Sequence, residues 1–172
     1  MGLFHTVMNK LGRYRLIPDR QTGEDYLHRY YLFLKDRTWF PFNVTLHKIV
    51  RSDDPIMHDH PWPYITIVLR GGYYEHTPVF NEEGKQFAEF SAWRGPGSII
   101  KRSASGYHWL ELDESIGPAT TLFFMGRQQR DWGFLVQTKK GLHRWIKWST
   151  YLNDWKNYHA KYVSTTTRKK KE

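Results

Sequence analysis

His58 and His60, one residue apart, and His108, just past the turn at Gly106, are the residues through which this chain could do chemistry. In an extended segment residues i and i+2 point the same way, so the imidazoles of the stretch Met57-His58-Asp59-His60-Pro61 project together. The second stretch, Gly106-Tyr107-His108-Trp109, supplies the third ring. Three neutral imidazoles form a metal site that leaves coordination positions for water, oxygen or a substrate. Asp59 has the opposite parity and reads as a turn or surface residue. Trp62, Tyr64 and Thr66 share the histidines' parity and read as pocket wall or core. His5, His28, His47, His143 and His159 stand alone and read as structural histidines.

Bulk properties limit what surrounds such a site. At 172 residues the chain suits one domain. It has no cysteine, which removes disulfides, thiolate nucleophiles and cysteine-ligated metals. No apolar run approaches the roughly 20 residues that span a bilayer, and the first residues lack a signal-peptide core, so the expectation is a soluble, cytoplasmic protein without a membrane partner. The net charge is +9 and the pI about 9.7. Part of that charge is the run Arg168-Lys169-Lys170-Lys171 after a polar Ser-Thr stretch, which reads as a solvated tail. Arg94, Lys101, Arg102, Arg127, Arg130, Lys139 and Lys140 remain as a basic rim or as outward-facing solubilising charges.

The elements that must position the histidines are mostly strands. Residues 26–34, 42–50, 64–69, 73–80, 87–93, 99–100, 107–112, 120–125 and 133–136 are β-branched or aromatic runs bounded by turn formers. Gly71-Gly72 and residues 81–84 separate successive hairpins. Residues 1–13 have helical apolar spacing, as do the Trp- and Lys-rich residues 142–162. Short strands without intervening helices predict an all-β sandwich or barrel. The expected plan is an N-terminal helix or arm over 1–20, a barrel over 21–140, a helical segment over 141–163 and a basic tail over 164–172. Residues 26–34 could offer a sheet edge for a homodimer.

On these residues the chain resembles the cupin superfamily. Its first motif has two histidines, a glutamate and then a glycine; here His58, His60 and Gly71 fit, and Tyr64 stands where the glutamate would be. In the second motif Gly97 and His108 fit, while Ser103 and Ser105 replace a proline and a glycine. The stretch from His58 to Pro78, with the later GPGSI, GYHWLEL and RDWGF segments, is similar to small bacterial and phage cupins whose activity is unassigned. The resemblance implies a double-stranded β-helix, the RmlC-like jelly-roll barrel, with short N- and C-terminal helices. It also implies a three-histidine variant, more distantly like the thiol dioxygenases, although without cysteine the Cys–Tyr crosslink of some of them cannot form.

Three functions follow as expectations. The first is a metal-binding cupin in which His58, His60 and His108 hold a divalent ion, Fe(II) foremost, with Zn, Ni or Mn as alternatives. With no carboxylate ligand the ion keeps its full charge, which favours a small anionic chelating substrate and a dioxygenase-like oxidoreductase. Tyr64 or Tyr107 would steer oxygen or a proton, and Trp62, Thr66, Arg70, Arg102, Arg127 and Arg130 would face the substrate. Glu75, His76 and Glu111 are substitutes for a fourth ligand. The second is a non-catalytic binding module for a nucleotide or sugar phosphate, using the same arginines. The third is nucleic-acid association through the basic tail and eight tryptophans.

Overall fold

The computed structural model describes residues 2–19, 22–35, 40–83, 86–137 and 143–154. In chain order the elements are α1 (Leu3–Lys10), β1 (Tyr14–Pro18), β2 (Asp25–Tyr31), β3 (Asn43–Ile49), β4 (Tyr64–Arg70), β5 (Tyr73–Phe80), β6 (Gln86–Arg94), β7 (Ile99–Arg102), β8 (Trp109–Leu112), β9 (Ala119–Met125), β10 (Gly133–Gln137), β11 (His143–Lys147) and α2 (Trp148–Asn153). One sheet has the order β1-β2-β3-β9-β4-β7, a second β6-β5-β8, and β10 pairs with β11. His58 bridges His108 on one side and Phe134 on the other, so the first histidine segment acts as a short strand between β8 and β10.

Counting that segment as a strand, the pairing is nested. The outermost partners are β3 and β9, followed inward by the His58 segment with the start of β8, β4 with β7, and β5 with β6. A long antiparallel hairpin rolled up in this way is the double-stranded β-helix, or jelly roll, as expected. Glycine makes two of its corners possible. Gly71 sits at φ 70 between β4 and β5, and a Cβ there would lie 2.4 Å from the Pro118 carbonyl oxygen. Gly97 turns β6 into β7 at φ 87, a conformation that costs glycine little.

The inner face of the large sheet changes character along its strands. Leu27, Ile49 and Ala119 align at one end and, with Val68, Ile100 and Tyr73 of β5, form an apolar core. One pleat further, register aligns Arg15, Arg29, His47, Thr121 and Val68; the next row is Tyr31, Thr45, Phe123, Thr66 and Ile100. Tyr64, Phe123 and Met125 make a second small cluster at the far end, with Trp62 against it. The barrel thus has an apolar end and a polar one.

The ends of the chain depart from the expected plan. Residues 14–18 form an unexpected strand, and β1 covers the side of β2 that was expected to be an edge. Short length and the terminal Pro18 weaken the strand signal there. Helix α1 lies on the outer face of this extension, where Phe4 meets the Tyr30 ring at 5.1 Å and His5 Nδ1 is 3.1 Å from the Tyr30 hydroxyl. Residues 143–147, expected to be helical, pair with β10 instead, setting Ile146 opposite Phe134. The helix that follows covers only Trp148–Asn153, and Tyr151 packs with Val136 and Ile146. Propensity yields here to pairing and burial. The rest of the expected C-terminal helix, His159, Lys139, Lys140 and the basic tail lie outside the described residues. No described helix is long and apolar enough to cross a membrane.

Candidate metal centre

The first histidine segment is tied on both sides. His58 and His108 exchange backbone hydrogen bonds of 3.0 Å each, the Leu135 amide donates to the Met57 carbonyl at 2.8 Å, and the Asp59 amide donates to the Gly133 carbonyl at 3.0 Å. Alternation then sends His58 and His60 inward to meet His108, as their spacing implies. The ring centroids form a near-equilateral triangle of 4.9, 5.1 and 5.3 Å, and one ligand nitrogen from each ring lies within 4.8 Å of the others. His60 Nε2 and His108 Nε2 are 2.9 Å apart, a separation compatible with two nitrogens sharing one ion at bonds of about 2.0–2.1 Å.

What lies behind His108 decides how its ring is presented. Glu75, 2% exposed, accepts from His108 Nδ1 at 3.2 Å, and both Arg94 Nε and Arg102 Nε donate to its carboxylate at 2.9 Å. Burial pushes the Glu75 pKa up, but the hydrogen bonds and charges of His108 and Arg102 outweigh it and bring it down to about 2. A carboxylate held ionised behind Nδ1 fixes the tautomer and aims the Nε2 lone pair into the barrel. His60 is held neutral. Burial lowers its pKa well below the usual value, and the neighbouring His108, His58, Arg29 and His47 add to the effect. The donor set therefore fits a divalent transition metal, with His58, His60 and His108 as the residues that would hold it.

The other expected site residues are dispersed. The Tyr64 hydroxyl is 3.1 Å from His108 Nε2; burial, then the Glu75 charge, raises its pKa far above the ordinary phenol value, so it remains a protonated donor. Thr66 is buried beside Phe123, and Trp62 packs on the Tyr64 cluster. Tyr107 has the opposite parity to His108, and its neighbours are Asp59 and Arg130 rather than the imidazoles; burial and Asp59 raise its pKa. Arg102 is committed to Glu75, and Arg130 Nη2 lies 3.2 Å from Asp59. Arg70 ends β4 opposite Thr120, away from Tyr64, and Arg127 is exposed beyond β9.

Two expectations need correction. Glu75 stands behind His108 rather than beside the ligand nitrogens, and His76 and Glu111 pair with each other at 2.9 Å on the outer face; the described cluster of ligands comprises the three histidines. Asp59 does face away from the imidazoles, but it is 0% exposed because the β10–β11 hairpin covers that side. It accepts from the Gly133 amide at 2.7 Å and from Trp145 Nε1 at 3.0 Å. His47 does make structural hydrogen bonds, yet they join it to Arg29, which composition did not single out: Arg29 Nε donates to His47 Nε2 at 3.1 Å. The usable signal was parity, since Arg29 shares a face with Leu27 and Tyr31. A cleft of about 580 Å³ lies elsewhere, lined by Asp19, Arg51, Asp54 and Asp113 among others.

Nested strand pairing and an inward three-histidine cluster at the polar end are now both in place. The fold is cupin-like. No family model matches the chain, and no curated protein matches it. Solved structures similar to this cupin-like chain include hydroxypropylphosphonic acid epoxidase from S. wedmorenis, at 13% identity and TM-score 0.48 over 66% of this chain and 56% of that one. Another is the polyketide cyclase RemF from Streptomyces resistomycificus, at 17% identity and TM-score 0.48 over 69% and 77%. A third is a protein of unknown function with a cupin-like fold from Ralstonia eutropha JMP134, at 11% identity and TM-score 0.47 over 86% and 80%. The chain spans little more than half the length of the epoxidase, at 56%.

Proposed function

We propose that this chain is a metal-binding cupin whose three imidazoles hold a divalent ion, Fe(II) foremost, and that it acts as a dioxygenase-like oxidoreductase on a small anionic substrate. The observation that carries the reading is the convergence of His58, His60 and His108, with Glu75 orienting His108 from behind. When bound, a redox-active divalent ion supplies Lewis acidity and electron transfer at the positions the three histidines leave open. The chain's own groups bind and orient. Tyr64, protonated and beside His108 Nε2, is placed to donate a hydrogen bond to whatever enters the barrel's polar end. A dioxygenase delivers both atoms of O2 to its substrate and so requires no separate reductant.

Elemental analysis of protein purified without chelators or an affinity tag tests the first half, comparing wild type with His58→Ala and His108→Ala. The expected result is about one equivalent of iron in the wild type and none in either variant. Oxygen uptake by the Fe(II)-loaded protein over a panel of thiols and small acids tests the second half. Metal without oxygen uptake would favour the second reading, a cup that captures a small anion and leaves it unchanged. That reading is supported by the same positive environment, in which Glu75 faces two arginines. Strong, salt-sensitive binding of single-stranded nucleic acid would favour the third.

A further inference from the structure

Helix α1 carries two apolar stripes, and the body of the protein uses one of them. Met8 is buried, and His5 and Phe4 meet the Tyr14 and Tyr30 rings at 4.6 and 5.1 Å. The neighbouring stripe is left open. Leu3, Val7 and Leu11 follow at intervals of four, which a helix brings into one line, and all three are exposed, Leu3 at 81% and Leu11 at 64%. A single exposed leucine is ordinary, whereas an apolar line along a whole helix marks a surface that meets something. The apolar surface also continues past the helix. Arg13 Nη1 donates to the Tyr31 carbonyl at 2.9 Å and to the Phe33 carbonyl at 3.2 Å, which fixes the turn after β2 against the end of α1. There Leu32 and Phe33 are exposed, and the exposed Phe42 stacks on Phe33 at 5.3 Å with 10° between planes.

Charge around this patch has one sign. From Gly2 to Pro18 the chain carries Lys10, Arg13 and Arg15 and no acidic residue. Lys10 sits in the last turn of α1, one turn on from Val7, and the Lys35 ammonium stands 3.5 Å from where a side chain on Gly12 would begin. Lys10, Arg13 and Lys35 therefore gather where the helix meets the turn. Their charge decides among occupants. A second copy docked about a two-fold axis would bring the same cations to the same patch, and like charges there repel. An anionic lipid surface complements both parts: negative head groups meet the cations, and the acyl boundary takes Leu3, Val7 and Leu11. The expectation of no membrane partner rested on the lack of a spanning run; a helix that lies in the interface needs no such length.

We infer that α1, with Phe33 and Phe42 beside its C-terminal end, docks this chain on an anionic lipid bilayer through Leu3, Val7 and Leu11. The apolar line supplies burial, and Lys10, Arg13 and Lys35 supply the preference for negative head groups. Arg13 has a second part as a positioning residue, because it holds the aromatic turn level with the helix. The inference goes beyond the metal-site reading and does not depend on it.

The test sediments the full chain with vesicles of equimolar phosphatidylglycerol and phosphatidylcholine, and with vesicles of phosphatidylcholine alone. Wild type should go down with the first and stay in solution with the second. The triple variant Leu3→Gln, Val7→Gln, Leu11→Gln keeps the net charge and should lose about tenfold or more in partitioning. Lys10→Gln with Lys35→Gln should bind more weakly and depend less on salt. Thermal midpoints should match wild type, because the substituted side chains are exposed. Since the chain has no cysteine, Val7→Cys accepts a single environment-sensitive dye, whose emission should shift to the blue on the anionic vesicles. The same dye at Glu114→Cys, exposed between β8 and β9, should not shift. Wild-type partitioning in the triple variant would assign the binding to the basic run Arg168–Lys171 and overturn the inference, as would a wild-type protein that ignores both kinds of vesicle. Self-association of the lipid-free wild type that the triple variant abolishes would overturn it too, making a second copy the occupant. Should the triple variant fail to fold, the two dye positions still decide.

Discussion

Two histidine–carboxylate pairs lie on opposite faces of the same small sheet, and they behave differently. On the inner face, Glu75 of β5 takes Nδ1 of His108 and leaves Nε2 turned towards His60 and Tyr64. On the outer face, His76, the very next residue of β5, has Glu111 2.9 Å from Nε2 and Glu89 3.8 Å from Nδ1, and its ring lies on Trp109 at 3.7 Å with 5° between planes. Composition hardly distinguishes the two. What separates them is that the inner carboxylate is engaged by two arginines and backs one nitrogen, whereas the outer carboxylates occupy both. A histidine becomes available as a ligand when its second nitrogen faces other imidazoles rather than a second carboxylate.

The largest expected effect follows directly. His60→Ala should abolish metal retention while His76→Ala leaves the stoichiometry at the wild-type value, and elemental analysis of the two variants side by side would break the comparison if both lost metal. Next, Glu75→Gln removes the charge that Arg94 and Arg102 share, which should cost about 3–5 kcal/mol and weaken metal affinity about 10–100-fold. Glu111→Gln, on a group about one-third exposed, should cost less than about 1 kcal/mol and leave metal affinity unchanged. Denaturant titration and metal-competition assays read both.

Asp59→Ala extends the comparison to the face of the first histidine segment that the β10–β11 hairpin covers. It leaves the Gly133 amide, Trp145 Nε1 and Arg130 without their acceptor, so a loss of about 2–3 kcal/mol is expected. Hydrogen exchange should quicken at Gly133 before it quickens in β4.

The smallest effect is a pH slope. His47 has a folded pKa well below its ordinary value of 6.5 because it is buried, with Arg29 adding to the shift. The unfolded chain therefore takes up the proton first, and stability that is fully present above pH 6.5 is lost as pH falls towards the folded pKa. The slope is about 1.4 kcal/mol per pH unit for one such group. Denaturation at several pH values below 6.5 should show a shallower slope in His47→Gln than in wild type; His28 and His60, shifted the same way, retain part of it.

Parity explains what could be read from the chain and what could not. It was enough to bring His58, His60, Tyr64 and Thr66 to one face, because strand alternation needs no knowledge of neighbours. It also turned Asp59 outward, but it could not reveal that the β10–β11 hairpin would cover that face and make the aspartate a buried anchor. Arg29 escaped notice for the same reason: an arginine in an aromatic strand reads as solvated until the sheet that closes over it is known. Residues 143–147 failed in another way. His143-Arg144-Trp145-Ile146-Lys147 is too short to separate a helical from a strand period, and only the partner strand decides between them.

The nested pairing has a consequence for how the molecule is made. His60 and His108 are 48 residues apart in sequence, and they meet only when the middle strands have already rolled up between them. Contacts of that range form late and slow the search for the native state. An ion that requires all three rings would therefore latch a finished barrel rather than seed one, and would favour the native state by mass action. Its imprint should fall on the unfolding rate: metal-loaded protein should open more slowly than metal-free protein, while both refold at the same pace.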